Sequence, residues 1–98
     1  MNLPVVLRAE AQADFDEAFD WYERQRPGLG IDFAAEVQEV FDRISANPLL
    51  HATVFQDVRK ALVKRFPYSV FYRAEPTQLL VIAVFHHKRD PSIWQGRA

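Results

Sequence analysis

Seven consecutive residues, Leu79 to Phe85, read LLVIAVF and carry no polar side chain. Side chains alternate between the two faces of a strand, so a run of this kind needs cover on both faces. It therefore belongs inside a sheet, and the rest of the chain has to supply neighbouring strands and covering layers.

Cover is available upstream, twice. Ala11, Phe15, Ala18, Phe19 and Tyr22 fall at i, i+4, i+7, i+8 and i+11, one stripe of a helix. Phe33, Val37, Val40, Phe41 and Ile44 repeat the same spacing. Glu10, Asp14, Glu17 and Arg24 fall off the first stripe, and Asp32, Glu36, Glu39 and Asp42 cover the solvent side of the second. Between them RPGLG, with Pro27, Gly28 and Gly30, marks a turn, and ANP at 46–48 ends the second helix. So short a link predicts an antiparallel helical hairpin.

The neighbouring strands follow the same logic. LPVVLR (3–8) is β-branched and bounded by proline, which predicts a first strand at a sheet edge. TVFQDVRKALVKRF (53–66), YSVFYRA (68–74) and LLVIAVFHH (79–87) are rich in Val, Phe and Tyr, separated by Pro67 and by the turn EPTQ. Links this short exclude parallel crossovers and predict an antiparallel meander. The expected fold is a single α+β domain over 1–98. It has an N-terminal strand and an antiparallel helical hairpin packed on an antiparallel sheet of three to four strands. Trp94, in the aperiodic tail SIWQGRA, is expected to be pinned against that body.

Composition narrows the class. At 98 residues and 49% hydrophobic, the chain is a small folding domain rather than a disordered one. No apolar stretch approaches the roughly 18 residues that a membrane span needs. The opening MNLPVVLRAEAQ lacks the basic start and apolar core of a signal peptide, and cysteine is absent. The expectation is a cytoplasmic protein without membrane association.

The net charge of −1 conceals a polarity. Residues 1–50 hold four arginines against ten carboxylates, a balance of −6, and residues 51–98 hold eight cations against three carboxylates, a balance of +5. Two readings stand level. The basic half faces an anionic partner, or the two halves neutralise each other within the molecule.

The apolar strand runs directly into His86, His87, Lys88 and Arg89. Adjacent strand residues point to opposite faces, so His86 and His87 are poor joint ligands for one ion. His51 is the only other histidine, and no carboxylate stands at a ligand spacing, so no metal is expected. Ser45, Ser69 and Ser92 sit in no glycine-flanked elbow, and there is no phosphate-binding glycine loop, so no cofactor is expected. What remains is a basic and aromatic constellation: Arg59, Lys60, Lys64, Arg65, Tyr68, Tyr72, Arg73, His86, His87, Lys88 and Arg89. Cations interleaved with rings suit RNA, where ammonium and guanidinium groups meet phosphates and rings stack on bases. Each residue singly also has an ordinary structural role, Tyr68 and Tyr72 as core residues with wet hydroxyls among them. Lys64 and Arg65, read as strand residues, point to opposite sides.

Three segments carry a family likeness: FDWYERQRPGLGIDFAAEV, VRKALVKRFPYSVFYR and VFHHKRDPSIWQGR. They resemble the RelE/ParE superfamily of small bacterial toxins from type II toxin–antitoxin systems, over roughly Val5 to Arg97. The resemblance implies the same helical hairpin and antiparallel sheet. It implies one of two targets. RelE-like members are ribosome-dependent mRNA endonucleases, and here His87, Arg65, Lys64 and Tyr68 are the catalytic candidates. Ser69 stands where that branch usually has arginine, so the set is incomplete. ParE-like members inhibit DNA gyrase, and the FPY…FY and H…RDP patterns are closer to them. A third implication is a degenerate member that is not toxic and only binds an antitoxin. The resemblance also implies a small cognate antitoxin whose acidic C-terminal segment covers the toxin as a helix or added strand, giving a hetero-oligomer. Arg59, Lys60, Arg73, His86, Lys88, Arg89 and Trp94 are the candidates for contacting target or antitoxin.

Overall fold

The computed structural model describes residues 2–98. The chain runs β1 (Val5–Leu7), α1 (Ala9–Gln25), α2 (Leu29–Ala46), β2 (Thr53–Phe55), β3 (Val58–Leu62), β4 (Tyr68–Ala74), β5 (Leu79–His86) and a short α3 (Ser92–Gln95). One five-stranded sheet has the order β1-β5-β4-β3-β2. The α+β architecture is the one the sequence implies, with two differences in the sheet. First, β1 takes the edge position but lies parallel to β5, with Val5, Val6 and Leu7 beside Leu79, Leu80 and Val81. The helical hairpin and the meander together supply the long connection that parallel neighbours require. Second, segment 53–66 is a hairpin and not one strand. It folds back at Gln56 and Asp57, where Gln56 takes a positive φ of 52° without a glycine to announce it.

The sheet separates two apolar clusters. On one face Val70, Tyr72, Leu79, Val81 and Val84 meet Tyr22, Phe33, Val37, Val40 and Ile44 of the helices. On the other, Val58, Phe71, Ile82, Ala83 and Phe85 meet Trp94, whose ring stacks on Phe71 at 4.0 Å and 17°. The apolar strand is thus covered by the hairpin on one side and by α3 on the other. A register shift opposite Phe71 and Tyr72 lets Ile82 and Ala83 both belong to the outer cluster.

The buried side of α1 is rotated from the expected stripe. Ala11, Asp14, Ala18 and Tyr22 are the buried residues, while Phe15 and Phe19 are only half-buried. Asp14 is therefore not on the solvent side, and its position has a reason. β1 pairs with β5 only as far as Val81, leaving the edge beyond it without a strand. Asp14 Oδ2 accepts the Val84 N–H at 3.2 Å, and Arg97 Nη1 donates to the Ile82 carbonyl at 3.2 Å. Arg97 Nη1 and Nη2 also hold the two Asp14 oxygens at 2.7 and 3.2 Å. One ion pair replaces the missing strand and pins the C-terminus to α1.

Candidate functional site

At the end of β5 the strand period sorts neighbours onto opposite faces. His86 stands opposite Tyr68 on the helix side, their rings edge-to-face at 5.0 Å. Its Nδ1 accepts the Lys88 N–H at 3.0 Å, which leaves the proton of the neutral ring on Nε2. Burial first, then the charges of His87, Lys88 and Arg89, hold His86 below the usual histidine range. Burial pushes the Tyr68 hydroxyl up to about 12.

His87 lies on the outer face. Its Nε2 is 2.8 Å from the Oγ of Ser69, a fully buried residue two positions along the same face. Its backbone N–H donates to the Pro67 carbonyl at 2.9 Å. Val54, Lys60, Phe71, Phe85, Trp94 and Arg89 join it around a depression of about 350 Å³. Among the described residues no carboxylate lines this depression, so its rim is cationic. Trp94 is buried in its floor and presents little surface.

The other cations go elsewhere. Lys64 and Arg65 are not strand residues; they sit in the link between β3 and β4, where Arg65 has a φ of 69°. Both lean on α2. Lys64 Nζ meets Glu39 at 3.1 Å, and Arg65 reaches Asp32 and Glu36, each at 3.8 Å. Arg59 donates to the carbonyls of Leu49 and His51 at 3.4 and 2.6 Å. Arg73 Nε donates to both Asp57 oxygens at 3.0 and 2.9 Å, and this pairing depresses the Asp57 carboxyl. Arg89 lies 4.2 Å from the Phe85 ring centre and 3.5 Å from Asp14. Lys60 and Lys88 form no side-chain bond or ion pair among the described residues.

The four catalytic candidates thus occupy three places: His87 on the outer face, Tyr68 on the helix face, Lys64 and Arg65 against α2. They are not brought together. Of the proposed contact residues, Lys60, His86 and Arg89 gather near His87 with Lys88 beyond the strand end, whereas Arg59 and Arg73 are spent on local bonds. The acidic and basic halves of the chain do partly neutralise each other.

A family model described as "ParE toxin of type II toxin-antitoxin system, parDE" matches residues 5–91. The chain belongs to the ParE toxin family. A solved structure described as "Chromosomal ParDE TA system from P. aeruginosa" shares its fold, with a TM-score of 0.75 at 17% identity. That match covers 86% of this chain and 95% of the other. No match was found among curated proteins.

Two features of the site in this ParE-family chain are not marked by its sequence motifs. One is Ser69, whose bond fixes the His87 ring; strand periodicity alone could have placed the pair on one face. The other lies across the sheet, where Glu17, Trp21, Tyr22, Tyr68, His86 and Arg89 help line a cavity of about 590 Å³. Its signal in the sequence was Trp21, a large aromatic outside the apolar stripe of α1.

Proposed function

We propose that this ParE-family chain arrests growth by inhibiting DNA gyrase, in the cytoplasm, and is held inactive by a cognate antitoxin. The observation that carries the choice of target is the separation of His87, Tyr68 and the Lys64–Arg65 pair. General acid–base cleavage of RNA needs its proton-transferring and charge-stabilising groups within hydrogen-bond reach of one phosphate. With His87 on the outer face, Tyr68 on the helix face and both link cations beside α2, that arrangement is lacking. Inhibition of a protein target needs a complementary surface and no catalytic set.

The outer face supports the antitoxin half of the reading. Lys60 and His87 rim an apolar depression that no carboxylate lines among the described residues, and Val54, Leu62 and Ile93 are large exposed apolar side chains. An acidic segment with apolar anchors matches this surface and gains association rate from its charge. The test is titration of the purified protein into a gyrase supercoiling reaction. Inhibition at near-stoichiometric protein is expected, and relief on adding the antitoxin encoded alongside it. Unimpaired supercoiling at large excess, with codon-spaced breaks in mRNA from translating extracts, overturns it in favour of the ribosome-dependent endonuclease.

A further inference from the structure

The cavity between α1 and the ends of β4 and β5 is walled by a chain of rings. Trp21 meets Tyr22 at 5.1 Å and 82°, Tyr22 meets Tyr68 at 6.1 Å and 62°, and Tyr68 meets His86 at 5.0 Å and 82°. All four of these residues line the same space. Its volume of about 590 Å³ lies in the range of sites that hold a ligand or a large side chain.

The charges around it are unequal in their commitments. Asp14 is filled by Arg97, Arg89 and the Val84 N–H. Among the described residues lining the cavity Arg89 is the one arginine or lysine; it shares Asp14 with Arg97 and lies against the Phe85 ring. Glu17, one helical turn before Trp21, has no hydrogen bond or ion pair among the described residues. Of the six carboxylates that α1 carries, Asp14 and Glu17 line the cavity. Aromatic rings beside a carboxylate with no bonded partner attract an organic cation, and planar rings suit a planar guanidinium. Trp21 is 51% exposed at the mouth, as an aromatic that anchors a partner is before binding.

We propose that this cavity receives an arginine side chain from a partner protein segment, stacked among Trp21, Tyr22 and Tyr68 and paired with Glu17. The source of the arginine rests on the reading that an antitoxin covers this chain. That partner then carries acidic residues for the outer sheet face and one basic anchor for the helix face, a pattern that fixes the direction in which it wraps.

The test is an NMR titration of the ¹⁵N-labelled full chain, which has two indole N–H signals. Trp21 reports the cavity, and Trp94, on the opposite face of the sheet, serves as the control. The probes are the capped pentapeptide Ala-Ala-Arg-Ala-Ala, its glutamate and leucine counterparts, and N-acetylarginine methylamide. The arginine peptide is expected to move the Trp21 signal saturably and leave Trp94 in place. Glutamate and leucine peptides should bind about 10-fold more weakly or not at all, and Glu17→Gln should weaken the arginine peptide about 5-fold. A leucine peptide that moves Trp21 equally, an arginine peptide that moves neither indole or both, or indifference to Glu17→Gln overturns the assignment. Binding of the methylamide but not the peptide makes the cavity a small-cation site and removes the partner. None of these outcomes bears on gyrase inhibition, so the two readings fail separately.

Discussion

Asp14 is the residue on which the most interactions converge. It accepts from Arg97, Arg89 and the Val84 N–H while its side chain is 6% exposed. Removing one member of a buried pair leaves the other charge and the strand-edge N–H unsatisfied, which costs more than the pair contributes. We expect Asp14→Ala to lower stability by about 3 kcal/mol, near the low end for buried pairs because Arg97 keeps some contact with water. A fall in the urea midpoint with unchanged slope reports this; a midpoint within error of wild type contradicts it. The histidines act in a different window. Burial, chiefly, holds both His86 and His51 below the usual value, with neighbouring cations adding to the effect. Between the folded value and about 6.5 the unfolded chain therefore binds more protons, so stability is full above about pH 6.5 and declines as pH falls through the folded values. Urea midpoints at pH 8 and pH 5.5 should differ in that direction, and His86→Gln should shrink the difference. Asp14 was not legible as a core residue because an isolated carboxylate on a helix reads as solvated. Only the truncated β1 beside β5 explains its burial.

At the scale of elements, the hairpin turn was legible in RPGLG, but the way it is held was not. Gly28 precedes α2 with a φ of 92° and no side chain to cap the helix. Glu23, from the preceding helix, accepts the N–H groups of Gly28 and Ile31, each at 3.2 Å. These backbone bonds hold its carboxyl below the usual range. Gly30 is the contact point of the two helices, where an added Cβ would lie 2.7 Å from the Phe19 carbonyl oxygen. The two glycines thus serve different purposes. At Gly28 there is open space, so Gly28→Ala should cost about 1 kcal/mol through the left-handed backbone alone. Gly30→Ala must push backbone from backbone and should cost about 2 kcal/mol. Thermal melts should rank them in that order, and equal losses would mean that the helices can separate freely at this point. The β2–β3 hairpin escaped reading for the opposite reason. Its turn at Gln56 and Asp57 has no glycine or asparagine to mark it, and the antiparallel pairing with β4 imposes it from outside.

Across the whole molecule, the charge polarity of the sequence resolves into two populations of cations. Lys64, Arg65, Arg73, Arg89 and Arg97 meet carboxylates, mostly contributed by the acidic half, and Arg59 meets the carbonyls of Leu49 and His51. Lys60 and Lys88, with the His87 ring, face outward without such partners. Which cations fall in which group could not be read from the chain, because it depends on the link 63–67 leaving the strand and leaning on α2. The division carries a functional consequence under the gyrase reading. Exposed pairs such as Lys64–Glu39 are worth little, so Lys64→Ala and Arg65→Ala should change stability by no more than about 0.5 kcal/mol. They should also leave growth arrest intact when the protein is induced without antitoxin. Lys60→Glu introduces a carboxylate at an exposed position of an outer rim that has none among the described residues. It should therefore slow association with an acidic antitoxin segment, with the deficit largest at low ionic strength and fading as salt screens the charge. Stopped-flow or surface binding at two salt concentrations separates the outcomes. If Lys64→Ala slows association as much as Lys60→Glu does, the partner reads the overall charge of the basic half and not the outer face of the sheet.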